Sequence, residues 1–329
     1  MAATFRALRI FQEDGRVASR IVTETVDQLD PGDVVIRTAW ASVNYKDALA
    51  VTGKGRIIER FPCIGGIDMS GVVESSQDPR FKPGDEVTVH GWGLGVRIDG
   101  GFSGMVRVKG DMVLRLPAGI SLFEASALGV AGYTAAIAIM LCELNGMLPA
   151  NGKVLVNGAT GGCASIAISM LARLGYKVTA VTGKSSAHDY LKSIGASEIV
   201  GREALPAGPR PLDKAMWAAG FDSVGGDQLS AMIRSMQPHG SIASFGNAGG
   251  IELHTTVLPF ILRGVRLIGV DSAATPMPLR RTVWARLAGD LKPPQIKEIA
   301  STITLDELPA TFEKMLKQQS RGRTVVRIE

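Results

Sequence analysis

The run Gly158-Ala159-Thr160-Gly161-Gly162-Cys163-Ala164 follows a short apolar strand at 153–157 and opens directly into a helical stretch at 162–174. Small residues in that context have a chemical use. They let backbone N–H groups and the positive end of a helix dipole approach a pyrophosphate closely. A glycine turn alone could be a plain strand–helix connection. The strand before it, the helix after it and a second strand at 177–181 make it a dinucleotide-binding loop. Ala164 stands where a third glycine is common and still permits close helix packing. The second strand ends in Ala180-Val181-Thr182-Gly183-Lys184-Ser185-Ser186. An NAD site usually places an Asp or Glu there, to accept hydrogen bonds from the ribose hydroxyls. Here the segment offers hydroxyls, a backbone turn and Lys184, with Arg202 after the next strand. A carboxylate repels a 2′-phosphate, whereas Lys and Arg bind it through charge-assisted hydrogen bonds. NADPH is the expected cofactor.

The residues that would hold a metal are missing. The four histidines, His90, His188, His239 and His254, and the three cysteines, Cys63, Cys142 and Cys163, show no ligand spacing. The histidines read as surface or loop residues, and hydride chemistry without a metal is expected.

These residues need a framework of more than one core. A chain of 329 residues fits two domains. Its 39 glycines fall into no repeat and read as tight turns and close backbone approaches. Aromatics at 5% imply an aliphatic core, and the net charge of +5 has no polybasic run, so no nucleic-acid partner is expected. Two uncharged stretches, 125–142 and 154–172, carry Gly, Ser, Thr or Asn and read as buried α/β elements rather than membrane spans. The N-terminus has no apolar leader and reads as a first strand. The chain is expected to be soluble and cytoplasmic.

The first third is β-rich, with strands at Val34–Val43, 71–74 and Glu86–His90, and Pro-Gly turns at 30–33 and 82–85. The segment 91–104, with six glycines in fourteen residues, is either an ordinary connection or a mobile loop over a site; its length and position favour the mobile loop. From about residue 124 strands alternate with helices: strands at 153–157, 177–181, 221–224, 241–245 and 265–270, helices at 162–174 and 186–194. That rhythm implies a parallel, doubly wound Rossmann sheet. A helix near 278–289, a Pro293-Pro294 break and a last strand at 323–328 follow. The expected fold class is therefore α/β, with a β-rich domain at 1–126 and 272–329 and a Rossmann domain at 127–271.

Further blocks carry a resemblance. They are Asn44-Tyr45-Lys46-Asp47-Ala48-Leu49-Ala50, Thr52-Gly53-Lys54-Gly55, Gly65-Gly66-Ile67-Asp68-Met69-Ser70-Gly71, Asp78-Pro79-Arg80-Phe81, Gly91-Trp92-Gly93, Leu258-Pro259-Phe260-Ile261-Leu262-Arg263, Gly269-Val270-Asp271-Ser272 and Gly322-Arg323-Thr324-Val325-Val326. With them the chain resembles, over nearly its whole length, the zinc-independent branch of the medium-chain dehydrogenase/reductase family. The acrylyl-CoA reductase group is the nearest likeness. Zinc-dependent members carry a cysteine where Asn44 stands and a histidine where Ile67 stands. The resemblance implies a GroES-like catalytic domain, NADPH-dependent reduction of acryloyl-CoA to propanoyl-CoA, and a homodimer joined through the strand 265–270. It places Tyr45 at the nicotinamide, Thr160, Gly161, Gly162 and Cys163 on the pyrophosphate, and Thr182, Gly183, Lys184 and Arg202 at the 2′-phosphate. Asn247, Ser272 and Arg323 fall at the nicotinamide end or substrate entrance.

Reduction of an α,β-unsaturated thioester needs a donor for the thioester oxygen and a proton for the α carbon. Asn44, Tyr45 and Arg323 are the candidate donors. Each has a plainer alternative: a turn-stabilising amide, a core-edge aromatic and a surface arginine. Lys46 and Asp47 are expected to pair or cap a helix. Asp68 is expected to accept backbone hydrogen bonds or handle protons, and the α-carbon proton comes equally well from water. Arg280, Arg281 and Arg286 form either a basic groove for coenzyme A phosphates or a solvated helix face.

Overall fold

The computed structural model describes residues 4–208 and 210–328. It divides into two compact units. The first comprises Met1–Ala131, Ser272–Ala288 and Ala300–Glu329, and the second Gly132–Asp271 and Gly289–Ile299. The expected division differs from this at 127–131 and at Gly289–Ile299.

In the first unit, Val34–Val43 organises a seven-stranded sheet. It pairs antiparallel with Asp68–Ser76 along its length, with Met105–Val108 at its start and with Arg323–Arg327 at its end. The pairing Ala41↔Met69 and the pairing Val43↔Thr324 bring Ser42, Asp68 and Arg323 to one place in the sheet. Alternation fixes that register, because Val34, Ile36, Ala41 and Val43 are buried and a one-residue slip would turn them outward. The hairpin Thr4–Glu13 and Arg16–Thr25 forms a separate three-stranded sheet with Cys63–Ile64. The core between is aliphatic (Leu8, Ile10, Met69, Val87, Val89) with Phe102 fully buried.

The segment 91–104 is tied to neighbouring backbone along its second half. Gly100 donates to Ile64 O, Gly101 to Gly66 O and Phe102 to Gly65 O, at 2.8–2.9 Å, while Phe102 O accepts from Leu8 N. A Cβ on Gly95 or Gly101 would lie 2.5 Å from the backbone oxygens of Gly66 and Asp68. The glycines serve close packing of backbone on backbone.

The second unit holds six parallel strands: β1 (Lys153–Val156), β2 (Lys177–Val181), β3 (Glu198–Val200), β4 (Trp217–Asp222), β5 (Met236–Ser244) and β6 (Arg266–Gly269). Their order is 3-2-1-4-5-6, the Rossmann order, with the reversal between β1 and β4. The helix expected at 186–194 is a 3-10 turn, Ser185–Ala187, running into His188–Ser193. Among the described residues one helix, Leu122–Leu144, is long and apolar enough to cross a membrane; 83% of its apolar window is buried within the protein. Gly129 breaks it with φ 45° and ψ −148°.

Candidate active site

In the second unit β1 passes through Asn157 into Gly158, whose φ of +58° turns the chain away from the sheet. A Cβ on Gly158 would lie within 3.1 Å of Val224 and closer still to Ser223, so the turn demands glycine. Gly161 caps the helix Gly162–Arg173 from an extended backbone, and the position of its missing Cβ meets only Gly158 O, at 3.2 Å. Thr160 is buried, Gly161 is exposed, and Gly162 and Cys163 are half-buried. The N-terminus of a twelve-residue helix thus begins at an exposed glycine, which fits a pyrophosphate.

The sequence alone gave no sign of what holds this loop. Asn157 and Asp222, both fully buried, join at 2.6 Å through Asn157 Nδ2 and Asp222 Oδ1. Asn157 Oδ1 accepts from Ser223 N, Asp222 Oδ1 also accepts from Gly225 N, and Asp222 Oδ2 accepts from Ser244 Oγ. The carboxyl ends of β1, β4 and β5 are therefore tied at the switch point of the sheet, where open α/β sheets bind ligands.

At the end of β2, Thr182 Oγ1 accepts from Lys184 N at 3.0 Å and shapes the turn. Arg202 opens a short 3-10 turn after β3, and its Nε lies 3.4 Å from where a Cβ on Gly183 would stand. Burial, and then the charge of Arg202, lower the Lys184 pKa. Two cations so placed suit a phosphate. Asn247 is exposed on the turn after β5, and its carbonyl accepts from Gly250 N.

In the first unit the structure brings Asn44 and Arg323 together, with Tyr45 as the first residue of the helix Tyr45–Thr52. Arg323 is buried, not a surface residue. Its Nε donates to Ala127 O, its Nη1 to Val43 O and Asn44 Oδ1 at 3.1 Å each, and its Nη2 to Ser42 Oγ. Ser42 Oγ passes a hydrogen bond on to Asp68 Oδ1, which also accepts from Ser42 N. Asp68 Oδ2 accepts from Asn44 Nδ2 at 3.1 Å and from Val130 N at 2.9 Å. The break at Gly129 turns Val130 N–H towards that carboxylate, and a Cβ on Gly129 would lie 2.5 Å from Asp68 Oδ2. Ser42 and Gly129 belong to this assembly and were not among the expected site residues.

The arginine and the amide are thus spent on one another. Arg323 gives its N–H groups to neighbours within this assembly, and Asn44 caps the helix. Asp47 completes that cap instead of pairing with Lys46: its Oδ2 accepts from Asn44 N, and its Oδ1 from Ile67 N. What the assembly leaves outward is Tyr45, 42% exposed.

Burial, and then the neighbouring Asp68, push the Asp47 carboxyl from 3.8 up to about 7, against the hydrogen bonds from Asn44 and Ile67 that pull it down. A carboxyl whose pKa rises on folding holds its proton more tightly when folded. Its contribution to stability is full below pH 4 or so and is lost as pH climbs through about 7. Unfolding free energy should therefore fall between about pH 4 and 7, by at most about 1.4 kcal/mol per pH unit for one proton. Urea titrations across that range should show a flatter slope in Asp47→Asn, whatever its absolute stability; an unchanged slope would place the titration elsewhere.

Of the four histidines, His188, His239 and His254 are exposed, but His90 is buried, contrary to expectation. Arg280 is buried beside it and cannot serve a solvated basic groove. Ser272 is half-buried at the start of the segment Ser272–Ala288.

Two family models match the chain: the alcohol dehydrogenase GroES-like domain over residues 30–118, and the zinc-binding dehydrogenase over residues 162–288. The acrylyl-CoA reductase AcuI of Ruegeria pomeroyi is 40% identical over 96% of this chain and 96% of its own. The crystal structure of Escherichia coli K-12 YhdH with bound NADPH is 44% identical, covers 98% of this chain and all of the other, and has a TM-score of 0.95. That of Bacillus subtilis YhfP with NAD bound is 43% identical, covers 99% and all of the other, and has a TM-score of 0.97.

The zinc in the second model's description does not fit the residues present. The Asp47 and Asp68 oxygens all accept N–H or O–H hydrogen bonds, and the Arg323 guanidinium lies 3.8 Å from Asp68. A dication there would displace those donors and face a buried cation. Among the described residues no group of three or more His, Cys, Asp or Glu is placed to hold a metal. A GroES-like unit, a Rossmann unit with a tied glycine turn, and end-to-end identity of 40% or more to an acrylyl-CoA reductase and to solved NADPH- and NAD-bound proteins together place this chain in the medium-chain dehydrogenase/reductase family.

Proposed function

We propose that this chain reduces the carbon–carbon double bond of acryloyl-CoA, giving propanoyl-CoA, with NADPH and without a metal. The observation that carries the reading is the Asn44–Asp68–Arg323 assembly, which spends a buried ion pair on orienting the Tyr45 helix, in a chain alike from end to end to an acrylyl-CoA reductase.

Thr160, Gly161, Gly162 and Cys163 would hold the cofactor's pyrophosphate. Thr182, Gly183, Lys184 and Arg202 would hold its 2′-phosphate, and Tyr45, Asn247 and Ser272 would meet its nicotinamide end. The hydride for the β carbon is what NADPH supplies when bound. The chain's own task is to meet the negative charge that then gathers on the thioester oxygen. The Tyr45 hydroxyl donates to that oxygen, and an oriented donor of this kind lowers the barrier by roughly 3–4 kcal/mol. The capping box prevents Tyr45 from swinging with its helix, so little reorganisation is left for the moment of reaction. Water supplies the α-carbon proton, since Asp47 and Asp68 are enclosed by their donors.

We further place the enzyme in the cytoplasm as a homodimer. β6 is an edge strand, and beside it in sequence Val257, Ile261 and Leu262 are 64–68% exposed. A second copy pairing along that edge would cover them.

The test is loss of nicotinamide absorbance with acryloyl-CoA, run against crotonyl-CoA, a simple quinone and NADH, with EDTA throughout. Rapid oxidation of NADPH by acryloyl-CoA is expected, from a species that sediments at twice 34.7 kDa. Turnover with quinone alone would make the chain a quinone reductase, the activity in whose name its relative YhfP is described. Binding of NADPH without turnover would make it a cofactor-binding protein. Loss of activity in EDTA would refute the metal-free chemistry.

A further inference from the structure

The backbone that follows Ser272 is gripped by a cation that is only 1% exposed, Arg280 of the helix Met277–Ala288. Its Nε donates to Thr275 O at 3.0 Å, its Nη2 to Ala273 O at 2.8 Å and its Nη1 to His90 O at 2.7 Å. The guanidinium lies over the Trp92 indole, 3.8 Å from the ring centroid. Ala273 O is bonded from a second side, by Trp92 N at 3.0 Å. The His90 ring faces Arg280 through Nδ1 at 2.7 Å and takes Trp284 Nε1–H at Nε2, 3.0 Å away. Burial and the Arg280 charge hold His90 well below its ordinary range, so the ring adds no second cation.

The turn that receives this grip has no slack. Gly91 has φ +74°, and a Cβ on it would stand 2.5 Å from Ala273 O and 2.9 Å from Arg280 Nη2. Trp92 is itself left-handed, at φ +49°, a conformation that costs a residue with a Cβ. A buried guanidinium is also costly, and a leucine would fill the space without that cost. Only a planar fork with several N–H groups can hold the carbonyls of 273 and 275 while stacking on the indole. The arrangement fixes one stretch of backbone, Ala273 to Thr275, which directly follows Ser272.

We propose that Arg280 is a positioning residue for the reductase: by tying the Ala273 and Thr275 carbonyls to the Gly91-Trp92 turn, it sets the backbone from which Ser272 meets the nicotinamide end of the cofactor. The proposal rests on the functional reading above. Arg280→Lys, Arg280→Met, Ser272→Ala and the double variant Arg280→Met/Ser272→Ala test it. With acryloyl-CoA, kcat should fall on the order of 10–100-fold in Arg280→Met and less in Arg280→Lys. KM for NADPH should stay within about twofold, because its phosphates are held elsewhere. The isotope effect with NADPH deuterated at the transferred position should rise, as hydride transfer becomes limiting. The double variant should be no slower than Arg280→Met alone, the sign of two residues acting as a unit.

An arginine that merely stabilised the fold would lower Tm and the yield of active sites, counted by bound NADPH, but leave kcat per site and the isotope effect unchanged. Such a result, additive losses in the cycle, or wild-type kcat in both Arg280 variants would overturn the proposal. Should Arg280→Met not fold, Arg280→Lys, which keeps the charge and most of the stem, carries the same comparison. A wild-type enzyme that reduces no enoyl thioester would instead overturn the functional reading, and this proposal with it.

Discussion

Tyr45→Phe should lower kcat with acryloyl-CoA by roughly 10²–10³-fold, the loss typical of one oxyanion donor, while Tm and NADPH binding stay close to wild type. The expectation follows from which donors the first unit leaves uncommitted. Arg323 gives its N–H groups to Ala127, Val43, Asn44 and Ser42, and Asn44 gives its amide to Ser42 O, Asp47 and Asp68. Neither can reach a substrate without leaving a buried partner unsatisfied. Tyr45 is 42% exposed at the first position of its helix, so removing its hydroxyl uncovers no core and should change stability by less than about 0.5 kcal/mol. Phe keeps the ring. If the ring alone matters, by stacking on the nicotinamide, Tyr45→Phe will keep kcat and only Tyr45→Ala will lose NADPH affinity. Arg323→Met is the contrasting case. It strands Asp68 and Asn44, and should cost about 3–5 kcal/mol of stability before any effect on rate is seen.

The second unit was legible in the sequence because its signals are local. Buried strands at 153–157 and 177–181, a glycine turn between strand and helix, and a missing carboxylate after the second strand can each be read within a few residues. In the first unit Val34–Val43 and Glu86–His90 match the structure to the residue, since alternation and flanking Pro-Gly turns mark them. What could not be read depends on residues far apart in the chain. Val130 N meets Asp68 across 62 positions, and Asn157 meets Asp222 across 65. Arg280 meets His90 across 190. Glycine misled for the same reason: six of them in 91–104 suggest mobility, whereas the partners that make their smallness necessary, Gly66 and Asp68, lie well upstream. A histidine without nearby ligands reads as surface until the fold supplies Arg280 and Trp284.

Cofactor choice should rest on two residues, and removing them should reverse it. Lys184→Ala and Arg202→Ala should each raise KM for NADPH about 10–100-fold, because a charge-assisted hydrogen bond contributes roughly 1.5–3 kcal/mol. KM for NADH should barely move, since it carries nothing at that position to lose. The double variant should therefore prefer NADH outright. Burial, and then the Arg202 charge, lower the Lys184 pKa, and a 2′-phosphate dianion would bring it back up. KM for NADPH should accordingly rise with salt in the wild type and lose that dependence in the double variant, as screening of a partly exposed charge cluster requires. The comparison has force because the chain is about equally similar to an NADPH-bound and to an NAD-bound relative, at 44% and 43% identity, so overall likeness does not decide between the cofactors. The end of β2 does. Were NADPH still preferred after both substitutions, discrimination would have to come from the backbone and hydroxyls of Thr182 and Gly183, and the lysine and arginine would be no more than a solvated surface pair.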